Sequence, residues 1–375
     1  MMKYIKKLAL YLKKDMVLCI ALILGFLSCF LVPAGRETVE SIDVRVLAIL
    51  YSLMIVVEGF KGTGLFSILG EKLLKRTKST FSLEASLIFL CFITSMLITN
   101  DVALLTFVPF GILTLQMCKK EDRICFVVIF QTIAANLGSM LTPIGNPQNL
   151  YLFGCMDCDL WEFMGILFPY TLLSVLLILL VLIMRKKETV QIQFPKRQTM
   201  GREELHKNLV YFVLFLLCLT VVLHWISYKI ALGLIIIVVF CLDKRVLLRT
   251  DYGLLLTFVG FFVFIGNMQR IPQVNEFLKA VVNQREFLVA LSASQVVSNV
   301  PAALLLSGFT DNYKELILGV NIGGLGTLIA SMASLISYKC YGNSYEKFKK
   351  TYLIKFTLWN VAFLAILVAA KVYIF

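Results

Sequence analysis

Two short polar clusters interrupt long apolar stretches of the sequence. Thr99-Asn100-Asp101 forms the first cluster and Ser298-Asn299 forms the second, and apolar arms flank both. Hydroxyl, amide and carboxylate groups supply the donors and acceptors needed to bind an ion or a small polar solute reversibly. We therefore expect Thr99, Asn100, Ser298 and Asn299 to bind a substrate and Asp101 to bind a coupling ion.

Asp101 carries the strongest functional indication, because a carboxylate within an apolar span is costly and is by default a functional hypothesis. As a proton carrier or a Na⁺ ligand, it would couple solute movement to an ion gradient. It could instead cap the second arm by accepting hydrogen bonds from the first amides of that helix, and the two roles are compatible. Glu58 and Glu84 lie nearer the ends of their apolar stretches, where we expect solvated charges.

Each cluster is followed by an apolar stretch that small and polar residues interrupt, at 142–149 in the first half and 327–334 in the second. In the first break, Pro143 and Pro147 remove backbone donors and Gly145 permits unusual dihedral angles. A broken helix frees carbonyls that can coordinate a cation and exposes amides that favour an anion. The breaks and their neighbouring helices add the candidates Thr142, Asn149, Thr327 and Ser334 for the substrate, and Asn136, Gly145, Asn146, Asn321 and Ser331 for the coupling ion.

The composition indicates the environment of these clusters. Of the 375 residues, 59% are hydrophobic and only 16% are charged, whereas soluble proteins have about 25% charged residues. Runs such as 172–184 and 230–242 are apolar on every face, as expected for lipid contact. The net charge of +13 arises from Lys and Arg blocks between apolar spans, so it indicates topology and not a nucleic-acid partner. The sequence therefore predicts an all-α polytopic membrane protein.

The arms around the second cluster are too short to cross a membrane. Residues 287–298 and 301–309 are 12 and 9 residues long, or about 18 and 14 Å as helices. A bilayer core of about 30 Å exceeds both lengths, which predicts a re-entrant hairpin with the cluster at its tip. The first pair, 81–99 and 102–117, is long enough for two full spans, and we favour a hairpin there because the two halves should match.

The two halves also share a register. Asn136 and Asn321 are offset by 185 residues, as are Thr142 and Thr327. We expect a single membrane domain, 1–375, with a first repeat at 1–184 and a second at 229–375, each holding a hairpin and a broken helix. Residues 185–228 form a cytoplasmic linker plus an extra span in this interpretation.

Charge distribution predicts the orientation of these repeats. With a cytoplasmic N-terminus and two re-entrant hairpins, 28 Lys and Arg residues lie in the cytoplasm and 8 lie outside. This asymmetry follows the positive-inside rule. The first hairpin would then enter from the cytoplasm and the second from outside, so the repeats would be inverted. We expect a multi-pass protein of the cell membrane whose C-terminus lies outside.

Four motifs, in order, resemble those of the ion transporter superfamily of arsenite permeases, Na⁺/H⁺ antiporters and divalent-anion or citrate carriers. They are N-D-V-A-L-L at 100–105, N-L-G-S-M-L-T-P-I-G-N-P-Q-N at 136–149, S-N-V-P at 298–301 and N-I-G-G at 321–324. The resemblance implies a scaffold and an elevator-like transport domain, with substrate and coupling cation held between hairpin tips and helix breaks. Antiporter and arsenite members tend to carry Asp where Asn146 stands, and carboxylate carriers tend to have Ser-Asn-Thr at both tips.

Our leading hypothesis is an ion-coupled secondary transporter for a small anion, either a carboxylate or an inorganic oxyanion, working by elevator-type alternating access. The alternative is an arsenite efflux permease or a Na⁺/H⁺ antiporter, favoured if Asp101 alone carries the proton. We expect Na⁺ or H⁺ as the coupling ion, no other metal or cofactor, and a homodimer in the bilayer. The sequence contains no H-E-x-x-H, G-x-S-x-G or paired intramembrane aspartates, so we expect no enzyme activity.

Overall fold

The computed structural model describes residues 16–33, 35–74, 77–190, 201–223 and 225–374. The N-terminal segment 1–15 and the central part of the predicted linker, 191–200, lie outside the described residues. Within the described ranges, the secondary structure is helical apart from one isolated antiparallel bridge between Ser79 and Thr189.

Nine helices make up the described part of the first half of the chain. They are α1 (Met16–Leu31), α2 (Arg36–Glu40), α3 (Val44–Gly62), α4 (Leu65–Leu74), α5 (Thr80–Ile98), α6 (Asn100–Met117), α7 (Ile124–Ser139), α8 (Pro147–Cys155) and α9 (Leu160–Ile183). The predicted break therefore separates α7 from α8. Asn146 caps the second piece, since its side-chain Oδ1 accepts a hydrogen bond from the Asn149 N–H at 3.1 Å.

Nine further helices are described in the second half. They are α10 (Arg202–Val222), α11 (Tyr228–Arg249), α12 (Tyr252–Gln269), α13 (Pro272–Val282), α14 (Glu286–Val297), α15 (Asn299–Ser307), α16 (Tyr313–Ile322), α17 (Met332–Ser344) and α18 (Lys349–Tyr373). Helix α11 is kinked at Asp243, where the backbone leaves the helical region. The second break lies between α16 and α17, where the spacing predicts it.

Six of the described helical segments are long and apolar enough to cross a membrane. They are Thr80–Ile98, Asn100–Met117, Leu160–Ile183, Arg202–Val222, Tyr252–Gln269 and Glu346–Tyr373. The prediction of an all-α polytopic membrane protein is thereby confirmed. Both arms of the first pair belong to this set, whereas α14 and α15 are 12 and 9 residues long. The re-entrant course of the two pairs stays a prediction.

The helices pack into two groups. The scaffold group contains α1, α3, α10, α11 and α12, with α1 packed along α12 and α3 packed against α10 and α11. Glycines permit the close crossing of α1 and α12, because a Cβ atom on Gly260 would lie 2.7 Å from the carbonyl oxygen of Ala21. The core group contains α5 to α9 and α14 to α18. In it, α5 and α6 pack on α7, α14 and α15 pack on α16, and α17 packs on α6 and α7.

Glu84 lies at one end of the core group and is buried, with 1% of its surface exposed. Its Oε1 atom accepts hydrogen bonds from Arg123 Nη1 and Arg185 Nη2, both at 3.0 Å, and its Oε2 atom accepts one from Arg185 Nε at 2.9 Å. The expectation of a solvated charge at Glu84 is therefore wrong. The reason is that the N-terminal ends of α5 and α7 and the C-terminal end of α9 converge there and supply two guanidinium partners.

A short strap, residues 185–190, runs from the end of α9 across this buried cluster. The Thr80 N–H donates to Glu188 O at 2.8 Å, and the Val190 N–H donates to Lys78 O at 3.1 Å. Hydrogen bonds from Lys120 and Arg123 lower the pKa of the Glu188 carboxyl below its usual 4.5. The carboxyl therefore stays ionised until the pH falls below that lowered pKa. The strap thus fixes the start of the predicted linker to the base of the first helix pair.

Candidate functional site

Each of the two helix pairs turns through a single residue in a strained conformation. Thr99 joins α5 to α6 with φ 71° and ψ 149°, and Ser298 joins α14 to α15 with φ 76° and ψ 156°. Non-glycine residues rarely adopt these angles, which cost about 1–3 kcal/mol and cluster at functional sites. The two tips therefore share one unusual geometry.

The residue after each turn binds the opposing helix break through its backbone. The Asn100 N–H donates to Gly145 O at 3.1 Å, and the Asn299 N–H donates to Ala330 O at 2.9 Å. Both asparagines are buried, at 4% exposure each. Each helix pair is therefore held with its tip against the break of its own half.

Side chains then join the two halves to each other. Ser331 Oγ in the second break donates to Asn136 Oδ1 at 3.0 Å, and Asn146 Nδ2 in the first break donates to Asn321 Oδ1 at 3.3 Å. The two contacts are equivalent in the two halves, because Asn321 follows Asn136, and Ser331 follows Asn146, by 185 residues. Asn100 Nδ2 also donates to Asn136 Oδ1 at 3.1 Å. The structure thus brings together all five residues, while the inverted orientation of the repeats stays a prediction.

Asn149 is enclosed within this cluster. Its Oδ1 atom accepts from Asn321 Nδ2 at 2.7 Å, and its Nδ2 atom donates to the carbonyls of Met140 and Thr142 at 2.8 and 3.1 Å. In contrast, Ser334 Oγ and Asn136 Nδ2 are buried and have no hydrogen-bond partner among the described residues. Buried polar atoms without partners are costly, so these two atoms are available to a bound ion or solute.

The two threonines predicted within the breaks connect these breaks to the arms. The Thr142 hydroxyl donates to Met96 O, and the Thr327 hydroxyl donates to Gln295 O at 3.1 Å. Thr327 is exposed, and its N–H also binds Gln295, at Oε1. Because both hydroxyls are engaged by the backbone, this geometry favours a positioning role for them over direct substrate contact.

Gln295 is a residue that the sequence reasoning missed. Its Nε2 atom donates to Gly323 O at 2.7 Å and to Leu325 O at 2.9 Å, so its amide satisfies carbonyls at the second break. The sequence feature that could have indicated it is a side-chain amide, three residues before Ser298, on a short arm that is mostly apolar.

Gly145 is required for a different reason from the one expected. It is not among the described glycines with positive φ, so the expectation of unusual dihedral angles is wrong. A Cβ atom there would lie 2.0 Å from Ser139 O and 2.9 Å from Ser139 Cα. The requirement is therefore for close approach of two backbone segments within the first break.

We predict that Gly145→Ala impairs the site and destabilises the protein by about 1–3 kcal/mol, the usual cost of overpacking. The Ser139 backbone must move, and the acceptor for Asn100 N–H moves with it. Thermal unfolding in detergent measures the change. Gly165→Ala is the matched control, because a Cβ atom on Gly165 has no neighbour within 4 Å. Equal unfolding midpoints for the two variants would contradict this interpretation.

A cavity of about 470 Å³ separates the scaffold group from the core group at this point. On the scaffold side, α3 contributes a stripe formed by Leu50, Leu53, Met54 and Val57 at helical spacing, and residues of α1, α11 and α12 complete the wall. The core wall is formed by the first helix tip, the first break and α17. Asp101, Thr99 and Asn146 are the polar groups that the tip and break contribute to this cavity. The core group therefore supplies the candidate binding residues, while α3 supplies an apolar stripe that ends in Glu58 and Lys61.

The Asp101 carboxylate lines this cavity and is half-buried. It accepts no hydrogen bond from a described residue, and the start of α6 has no side-chain cap. Helix capping therefore does not account for Asp101. Glu58 also lines the cavity and accepts a hydrogen bond from Lys61 Nζ at 3.2 Å, so it is a paired charge at the cavity wall.

The spanning helices and a polar site between two helix groups together define a multi-pass membrane transporter. Comparison with known sequences agrees, since the citrate transporter family (CitMHS) matches residues 6–312. The chain belongs to this family. The resemblance that the four motifs indicate is thereby confirmed, and the protein is a transporter and not an enzyme.

Individual relatives include two proteins that are named as transporters and one that is named as an inner membrane protein. A Methanocaldococcus jannaschii protein named uncharacterized transporter MJ0456 is 34% identical over 310 residues, covering 81% of this chain and 82% of that protein. The Escherichia coli inner membrane protein YbiR is 31% identical over 335 residues, covering 88% of each. The rice silicon efflux transporter LSI3 is 32% identical over 123 residues, which is 33% of this chain and 25% of that protein.

Proposed function

We propose that the protein is an ion-coupled secondary transporter that moves a small anion by elevator-type alternating access. The observation that carries this proposal is the cavity between the scaffold and core groups, into which Asp101 and Asn146 project from the core side. A volume of about 470 Å³ accommodates a small carboxylate or an inorganic oxyanion. The family description as a citrate transporter supports an anionic substrate.

Helix termini support binding of an anion beside a cation. Helices α6, α8, α15 and α17 begin at Asn100, Pro147, Asn299 and Met332, next to the joined breaks. Their N-terminal ends carry partial positive charge and favour an anion. Helices α5, α7, α14 and α16 end in the same region, and their C-terminal carbonyls favour a cation. The same cluster therefore suits a substrate anion and a coupling cation together.

The coupling ion is Na⁺ or H⁺ in this proposal. The candidate Na⁺ ligands are the Gly145 carbonyl oxygen and the side-chain oxygens of Asn136, Asn146, Asn321 and Ser331, which would exchange their hydrogen bonds within the cluster for the ion. Asp101 is the carboxylate that the core group presents to the cavity, so it is our candidate for holding a proton or a Na⁺ ion during transport. No group of three or more His, Cys, Asp or Glu side chains suited to a metal is found among the described residues.

Uptake into proteoliposomes tests this function. The full-length chain would be reconstituted and assayed with citrate, succinate, sulfate and arsenite under imposed Na⁺ or H⁺ gradients. We expect at least one anion to accumulate above its external concentration only when a cation gradient is present. Equilibration without accumulation would contradict ion coupling, and the absence of uptake of every anion would contradict the substrate class.

Efflux of arsenite, or Na⁺/H⁺ exchange, is the second candidate. It is favoured by partial similarity to proteins named silicon efflux transporter LSI3 and putative transporter arsB, the latter 26% identical over 154 residues. In this case Asp101 would carry the proton alone. Arsenite extrusion, or Na⁺-driven proton movement without anion uptake, in the same vesicles would favour this alternative.

We further propose that the N-terminus is cytoplasmic, that the C-terminus lies outside and that two copies form a dimer. The cationic residues lining the cavity, Lys61, Arg249 and Lys339, belong to segments that the charge asymmetry assigns to the cytoplasm. The cavity would then open inward. Protease accessibility of terminal tags tests the orientation, and mass photometry of the detergent-solubilised chain tests the dimer.

A further inference from the structure

The α17 wall of the cavity is a single stripe that ends in a lysine. Met332, Leu335, Ile336 and Lys339 all line the cavity, at the spacing of one helix face. Ser331, which donates to Asn136, immediately precedes this helix. The backbone of Lys339 therefore lies about 12 Å along the helix from that of Ser331. The stripe connects the polar cluster to a positive charge on the same rigid element.

Among the described residues that line the cavity, Lys339 is the cationic residue that the core group contributes, and Asp101 is the carboxylate that it contributes. Lys61 is paired with Glu58 at 3.2 Å, and the Asp251 carboxylate accepts from the Gly253 N–H at 2.9 Å. Lys339 is exposed and forms no ion pair with any residue in the described ranges. Arg249 is likewise without an ion pair there, but it lies at the end of α11 in the scaffold group.

We infer that Lys339 is a specificity-determining residue that draws anions toward the binding cluster and moves with the core group. This inference rests on the proposed function and names the residue that selects the substrate by the sign of its charge. A charge in a cavity with apolar walls raises the local concentration of oppositely charged solutes, because the walls focus its field. A lysine is a mobile point charge without fixed geometry, which suits transient attraction more than tight binding.

Charge-selective thiol modification tests the inference without a known substrate. A cysteine is introduced by Leu335→Cys in the full-length protein, and its modification is quantified by peptide mass spectrometry. The probes are an anionic sulfonatoethyl and a cationic trimethylammonioethyl methanethiosulfonate. We expect Lys339→Gln to lower the ratio of anionic to cationic reaction rates by about three- to tenfold at low salt. Ile336→Cys provides a second reporter position if the first variant is poorly folded.

Lys347→Gln is the matched control, because Lys347 is exposed, follows α17 in the chain and does not line the cavity. We expect it to leave the rate ratio unchanged. Equal ratios in the two lysine variants would overturn the inference and leave Lys339 as a charge that only sets topology. The proposed function fails separately, through the absence of anion uptake, because the rate ratio does not depend on transport.

An anion that the uptake assay identifies as a substrate allows a second, kinetic test of the inference. Lys339→Gln should raise KM for that anion about three- to tenfold at low ionic strength while leaving the maximal rate within about twofold. The difference should disappear in high salt, since screening shortens the range of the charge to a few ångströms. An unchanged KM at low salt, or an effect that high salt does not reduce, would overturn the inference.

Discussion

Asp101→Asn should abolish accumulation of the substrate while leaving downhill equilibration possible. A tenfold gradient of one coupled ion corresponds to about 1.4 kcal/mol and supports about tenfold accumulation. The neutral amide holds neither a proton nor the charge that favours Na⁺, so we expect the accumulation ratio to fall from about ten to about one. Proteoliposome uptake with and without the imposed gradient measures this ratio.

Asp251→Asn is the matched control for Asp101→Asn. Asp251 lines the same cavity from the scaffold group, and its carboxylate caps α12 by accepting from Gly253 and Leu254 N–H groups. Asparagine caps helices as well as aspartate does, so we expect Asp251→Asn to remain coupled. Gradient-driven accumulation by Asp101→Asn would exclude this carboxylate as the carrier of the coupling ion.

Glu84→Gln should lower the free energy of unfolding by about 3–5 kcal/mol. The variant removes the buried charge that faces Arg123 and Arg185, and breaking a buried ion-pair network by neutralising one member is strongly destabilising. Arg123 retains Glu188 as a partner at 2.8 Å, whereas no further ion pair to Arg185 is found among the described residues. Unfolding by titration with a denaturing detergent measures the loss.

Glu203→Gln provides the comparison for Glu84→Gln. Its ion pair with Lys207 is exposed, with 82% of the Glu203 side chain accessible, and such pairs contribute about 0–1 kcal/mol. A similar loss of stability in both variants would mean that the buried Glu84 cluster contributes no more to the free energy of unfolding than an exposed ion pair does. It would also contradict the interpretation that the strap fixes the start of the predicted linker to the base of the first helix pair.

The sequence predicted the helical class and the two breaks, because each of these leaves a local pattern. The length of an apolar stretch identifies a membrane span. Pro143, Gly145 and Pro147 mark a break in the helix, which at membrane depth is tolerated only where the backbone is buried in protein or lines a cavity. The 185-residue offset of Asn136 to Asn321 and of Thr142 to Thr327 matches the two breaks to each other. The structure then places Asn136 against Ser331 and Asn146 against Asn321.

Features that depend on packing between distant segments were not predictable in the same way. The sequence predicted a solvated Glu84 because its partners, Arg123 and Arg185, lie 39 and 101 residues away along the chain. Gly145 is constrained by close approach to the Ser139 backbone, which no local sequence pattern indicates. In the sequence, Lys339 belongs to one of the Lys and Arg blocks between apolar spans, whereas the structure places it on the face of α17 that lines the cavity.

Cross-linking the two walls of the cavity tests the central claim most directly, namely that transport requires the core group to move against the scaffold group. Leu254→Cys on α12 and Leu335→Cys on α17 place thiols on opposite walls. A cleavable bifunctional thiol reagent that spans the cavity should stop uptake in the double variant, and reduction should restore it. Single variants treated identically should retain uptake. Full uptake by completely cross-linked protein would contradict the account.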